Sequence, residues 1–157
     1  MQRDSLSVRG ARKGRAEWCE DDGPVPHLVD VALMAAARIL IVEDFADSRD
    51  MYVEFLQAQG FHVAAAEDGI AALRSIEAAI PDLVVLDVAL PKLDGLSVLR
   101  RLRADPRFAS LPVLTLSASL GADYQRIAME AGATAALEKP CLPEELLTAV
   151  QKALGRA

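Results

Sequence analysis

From Arg38 onward the chain switches repeatedly between two hydrophobic rhythms. Apolar runs of a few residues alternate with stretches in which apolar positions recur every three or four residues. The first rhythm fits a strand buried on both faces, the second a helix with one buried stripe. Residues 38–42 (Arg-Ile-Leu-Ile-Val) predict a first strand, closed by Glu43-Asp44. Asp47 and Ser48 are helix-start residues. Met51, Phe55 and Leu56 predict the buried stripe, and Gly60 the stop. Residues 61–66 predict a second strand. Asp68-Gly69 precedes a helix carrying Ile70, Leu73 and Ile76, which Pro81 ends.

Residues 82–86 predict a third strand with Asp87 at its end. Pro91 and Gly95 punctuate the next loop, and Leu96, Leu99 and Leu102 mark a third helix ending near Asp105-Pro106. Residues 112–116 predict a fourth strand, 122–131 a helix closed by Gly132, and 133–137 a weaker fifth strand closed by Lys139-Pro140. Pro143-Glu-Glu is a favourable first turn, with proline early and carboxylates at the positive helix end. Leu146, Leu147, Val150 and Leu154 give that helix its apolar face. Five strand-helix units in succession predict an α/β protein, a parallel sheet with helices on both faces.

Residues 1–37 keep neither rhythm. They predict an N-terminal tail, disordered or lying upstream of a true start at Met34, with the folded domain at 38–157. Arg9, Arg12, Lys13 and Arg15 also allow an electrostatic docking arm. The formal charge is −6 over 157 residues. That argues against nucleic-acid binding through bulk charge. Cys19 and Cys141 belong to no CxxC or Cys/His cluster, so structural zinc is not expected and reduced thiols are. The run 29–37 is too short to span a bilayer. A soluble, cytoplasmic protein without a membrane partner is the expectation.

The candidate chemistry lies where polar residues interrupt the pattern. Glu43 and Asp44 follow strand 1, Asp87 ends strand 3, Ser117 follows strand 4 and Lys139 follows strand 5. All fall at carboxyl ends of parallel strands, the edge where open α/β sheets hold their ligands. Clustered carboxylates repel, and a hard divalent cation relieves the repulsion. With an ammonium and a hydroxyl added, the set is a cradle for a phosphoryl group, and a carboxylate can accept one as an aspartyl-phosphate.

These pieces in this order resemble the response-regulator receiver domain of two-component signalling. The matching segments are Ile39-Leu-Ile-Val-Glu-Asp44, Pro81-Asp-Leu-Val-Val-Leu-Asp87, Leu90-Pro91 with Asp94-Gly95, Pro112-Val-Leu-Thr-Leu-Ser-Ala118, Ala131-Gly-Ala133 and Lys139-Pro140. The resemblance implies a doubly wound, flavodoxin-like sheet of five parallel strands in order 2-1-3-4-5, flanked by five helices. It implies Asp87 as phosphoacceptor, charged by a sensor histidine kinase or a histidine phosphotransfer protein. It implies Mg²⁺ (or Mn²⁺) held by Glu43, Asp44, Asp87 and the backbone carbonyl of Ala89. Ser117 and Lys139 would contact the phosphoryl group, and Pro140, often cis in this family, would shape the lysine loop. The protein would be a signalling module rather than an enzyme, and the face made by its fourth helix, fifth strand and fifth helix would change for a downstream protein target. With no helix-turn-helix segment after the last helix, the expectation is a stand-alone receiver with no direct DNA binding.

Four positions depart from the family pattern. Ala136 stands where an aromatic switch residue is usual, and Cys141 where phenylalanine is common. Ala89 and Ser119 are small at two positions that tune dephosphorylation, so faster hydrolysis is expected. Rival readings are a pseudo-receiver kept for contacts alone and a Mg²⁺-dependent aspartate-nucleophile hydrolase. The hydrolase lacks its second aspartate, because that position is Ala89. A dinucleotide fold lacks its GxGxxG turn. The run Arg100-Arg101-Leu102-Arg103 is read as a solvated basic face, and His62 and His27 have no metal-ligand company.

Overall fold

The computed structural model describes residues 36–118 and 122–155. In chain order the elements are β1 (Arg38–Val42), α1 (Ala46–Ala58), β2 (His62–Ala66), α2 (Gly69–Ala78), β3 (Leu83–Asp87), α3 (Gly95–Ala104), a 3-10 turn (Pro106–Phe108), β4 (Val113–Ser117), α4 (Ala122–Glu130), β5 (Ala135–Glu138) and α5 (Pro143–Ala153). All strand pairs are parallel, in the order β2-β1-β3-β4-β5. The doubly wound sheet that the alternation and the resemblance predict is thus the fold.

Successive strand residues point to opposite faces, and each face has its own core. Leu40, Val42, Val84 and Leu86 pack with Ile76 of α2, Leu99 and Leu102 of α3 and Ala128 of α4. Ile39, Ile41, Leu83 and Val85 pack with Tyr52 and Leu56 of α1 and Leu146 and Val150 of α5. The winding direction reverses between β1 and β3, so a crevice opens at their carboxyl ends. No helix among the described residues is long and apolar enough to cross a membrane.

Several local expectations are corrected. The buried stripe of α1 is Tyr52 and Leu56, while Met51 is exposed. Tyr52 and Leu56 lie four apart, on one face, and Met51 lies off it. The α1 N-cap is Phe45 with no side-chain cap; Asp47 instead lies in the first turn, where the positive helix end favours it. In α2 Ile70 is exposed, and Ala72 and Ile76 are buried. Arg103 is not part of a solvated face: its guanidinium donates to the carbonyls of Gly132 (2.9 Å) and Phe108 (2.8 Å).

Strand ends also shift. Asp87 ends β3 as expected, paired with Leu116, whereas Ser117, expected just after strand 4, is the last residue of β4, paired with Glu138. Apolar runs mark buried side chains, whereas the backbone ladder continues one residue further. Ala133 falls outside β5 because its N–H returns to the Ala128 carbonyl and closes α4. Residues 1–35, including the basic stretch, His27 and Cys19, and Ser119 lie outside the described residues. Cys141 is a buried free thiol, packed as a small apolar group.

Candidate phosphoryl and metal site

Three strand ends bring Glu43, Asp44, Asp87 and Lys139 to one crevice. Glu43 follows β1, and its N–H donates to the Ala66 carbonyl of β2 (3.1 Å). That bond carries the ladder past the strand and turns the side chain inward, where it is buried. Its Oε1 accepts the Phe45 N–H (3.3 Å), and its carbonyl accepts from the Arg49 guanidinium (3.1 Å). Asp44, next in the chain, is exposed at the rim. Asp87 is buried, and its Oδ1 accepts the Ala89 N–H at 3.1 Å.

Lys139 ties the two halves together. Its Nζ donates to Glu43 Oε2 (2.7 Å) and to Asp87 Oδ2 (3.0 Å). Two hydrogen bonds steady the chain on either side of the lysine. Its N–H donates to the Ser117 carbonyl (2.8 Å), which extends the β4–β5 ladder. The Lys139–Pro140 peptide is cis, as the resemblance implied. The Tyr52 hydroxyl of α1 donates to the Cys141 carbonyl (2.8 Å) and pins the loop beyond the proline.

The electrostatics follow from this packing. Burial pushes the Glu43 carboxyl above its ordinary range; the Lys139 hydrogen bond pulls it back in part, and the Asp87 charge adds to the rise. For Lys139, burial opposes the charge, but the bonds to Glu43 and Asp87 outweigh it and the ammonium pKa is raised. Burial likewise pushes Tyr124 of α4 up, and the charges of Asp94 and Asp87 add to that.

The donor set suits a hard cation. Glu43, Asp44 and Asp87 each offer a carboxylate oxygen, all within 4.8 Å of one another. Three carboxylates face one ammonium, so the crevice carries excess negative charge. Oxygen-only ligands beside an open rim match Mg²⁺ or Mn²⁺, which keep waters and take phosphate oxygens.

Sequence reasoning missed Tyr52 and the contact between Asp68 and Lys92, whose groups are 3.4 Å apart. Tyr52 was legible as the residue four before Leu56. The Asp68–Lys92 contact joins two loops and leaves no periodic trace.

Comparison with known proteins agrees with the geometry. A family model described as the response regulator receiver domain matches residues 39–151. The transcriptional regulatory protein PrrA of Mycobacterium tuberculosis is 40% identical over 123 residues, covering 78% of this chain and 52% of that protein. The DNA-binding response regulator MtrA of Mycobacterium leprae is 37% identical over 119 residues, covering 76% and 52%. The chain therefore spans about half the length of these curated relatives. Among solved structures, a putative response regulator from Chloroflexus aurantiacus superposes with a TM-score of 0.73 at 35% identity, covering 77% of this chain and 99% of that one. The receiver domain of sensor histidine kinase PA1611 from Pseudomonas aeruginosa, described with magnesium coordinated in its active-site cleft, gives 0.71 at 32% identity, covering 76% and 98%. A doubly wound parallel sheet with carboxylates at the β1/β3 crevice defines the class: a signalling receiver. This chain belongs to the response regulator receiver domain family of two-component systems.

Proposed function

We propose that the protein accepts a phosphoryl group on Asp87 from a phosphohistidine of a sensor histidine kinase or a histidine phosphotransfer protein. The carrying observation is Lys139 Nζ bridging Glu43 and Asp87 at the carboxyl edge of the sheet. An Asp87 carboxylate oxygen attacks phosphorus as the donor's P–N bond breaks. The imidazole leaves with the electron pair and takes up a proton, and the product is an acyl phosphate. Glu43, Asp44, Asp87 and the Ala89 carbonyl would hold Mg²⁺ or Mn²⁺, which would supply charge neutralisation for the phosphoryl group.

Lys139 pairs with the transferred group, and the Ser117 hydroxyl donates to it. The added charge, roughly −1.5 to −2 for a phosphate ester, is the signal. Ala136 carries only a methyl, so no aromatic ring swings at that position. Water attack at phosphorus returns the carboxylate and inorganic phosphate. The methyl side chain of Ala89 leaves that water room, and Ala89→Arg is expected to lengthen the phosphoryl lifetime.

The protein acts as a signalling module rather than a turnover enzyme, in the cytoplasm. Its reader is a protein that binds the α4–β5–α5 face better in one state than the other, since equal affinity would shift nothing. The net charge of −6 favours a protein reader over DNA for this chain. Incubation with acetyl phosphate and Mg²⁺, followed by intact mass spectrometry, tests the reading. A metal-dependent gain of one phosphoryl group is expected. No gain, together with no Mg²⁺-dependent beryllofluoride binding, would leave a pseudo-receiver.

A further inference from the structure

The loop from Val88 to Asp94 carries the Ala89 peptide out of the site, and it is held from both ends. Inside it, the Ala89 N–H returns to Asp87 Oδ1 (3.1 Å), the Leu90 N–H to Val88 (3.1 Å) and the Leu93 N–H to Pro91 (2.7 Å). At its end the Gly95 N–H donates to the Val88 carbonyl (2.9 Å). A Cβ on Gly95 would come within 2.7 Å of the Val88 Cα. The loop can close this tightly only on glycine.

A second support comes from outside, at the start of α2. A Cβ on Gly69 would collide with the Leu93 carbonyl oxygen and lie 2.9 Å from both its carbonyl carbon and its Cβ. Asp68 is buried beside it. Its Oδ1 accepts the Ala71 N–H (2.7 Å) and caps α2, while its Oδ2 faces Lys92 Nζ at 3.4 Å. Lys92 has φ of +65°, a region that residues with a Cβ rarely adopt. The cap, the ion pair and the close approach each have an ordinary structural reading. They converge on one loop, and that loop begins at the phosphoacceptor.

We propose that Asp68, Gly69 and Lys92 are positioning residues that brace the β3–α3 loop and so fix the Ala89 peptide against the metal and phosphoryl site. This rests on the reading of Asp87 and Ala89 given above. The brace and simple electrostatics predict opposite signs. Removing the positive charge of Lys92 near a cation site would tighten Mg²⁺ binding if charge alone mattered. Loss of the brace loosens it.

The test is calorimetric titration of the full chain with Mg²⁺ alone. Lys92→Met is expected to weaken Mg²⁺ binding about threefold, the scale of an exposed ion pair. Lys92→Arg, which keeps the pair, is expected to restore it. Asp68→Asn keeps the helix cap, because asparagine caps as well as aspartate. It is expected to match Lys92→Met, and the double variant to be no weaker than either single. Gly69→Ala is expected to weaken binding at least tenfold if it folds; the lysine and aspartate variants decide the matter if it does not. Unchanged or tightened Mg²⁺ binding in Lys92→Met, with the wild type binding normally, overturns the brace alone. A wild type that binds no Mg²⁺ overturns the site reading on which the brace rests.

Discussion

The two strands that supply the charged pair of the site are built differently. β3 lies at the sheet centre and is buried at every residue, with Asp87 as its last rung. β5 is an edge strand, half-buried along its first three residues and exposed at the fourth, and Lys139 follows it. Asp87, the proposed phosphoacceptor, is therefore fixed by the core, and the lysine that bonds it follows the least buried strand of the sheet. A signal needs a fixed point and a part that moves at low cost, and sparse packing is what makes motion cheap. The lysine is not left to that packing alone. The Tyr52 hydroxyl reaches across from α1 to steady its loop.

The sharpest way to break this contrast is to truncate one leucine on each strand. Leu86→Ala in β3 is expected to destabilise by about 3 kcal/mol, transfer and cavity terms together. Leu137→Ala in β5, whose side chain is half-buried, is expected to cost about 1 kcal/mol. Urea denaturation of both variants measures the difference, and equal losses would mean that β5 is as well anchored as β3.

A smaller effect tests the anchor on the β5 side. Tyr52→Phe leaves a buried carbonyl without its donor and is expected to cost about 1.5 kcal/mol. Hydrogen exchange should quicken at the amides of Lys139 and Cys141 and stay unchanged across 83–87. Uniform quickening over both segments would show that Tyr52 supports the fold generally rather than this loop.

The smallest effect concerns the fixed side. Asp94 caps α3 by accepting the Ser97 N–H (3.0 Å) and the Ser97 hydroxyl (2.8 Å). Those bonds hold its carboxyl below the ordinary value of 3.8. Its contribution is therefore full above that value and fades as pH falls through the lower, folded-state pKa. Asp94→Ala is expected to cost about 1 kcal/mol at neutral pH. The gap between variant and wild type should close in acid. A gap independent of pH would mean that the carboxylate is not what caps the helix.

The same contrast separates what the sequence makes legible from what it hides. β1, β3 and β4 announce themselves because their apolar side chains are all buried, so the apolar run has no gaps. Glu43, Asp87, Ser117 and Lys139 are legible because a charge or hydroxyl stands where such a run ends. The order of those endings also carries the family resemblance. Helix stripes are harder to read. In α1 several apolar residues compete, and only packing against β1 and α5 selects Tyr52 and Leu56 over Met51. Contacts between loops are harder still. Arg103 reads as one of a run of exposed arginines until the Gly132 and Phe108 carbonyls are seen beside it. Lys92 and Asp68 lie in different turns, and only the folded chain brings them together.

The central claim is that Asp87 is the residue that takes the phosphoryl group. Borohydride reduction tests it most directly, because it converts an aspartyl-phosphate to homoserine and leaves free carboxylates alone. The protein would be treated with acetyl phosphate and Mg²⁺, reduced, digested and sequenced by mass spectrometry, with Asp87→Asn alongside. The account predicts homoserine at position 87 in the wild type and nowhere in the variant. Homoserine at position 44, or an equal yield from Asp87→Asn, would contradict it.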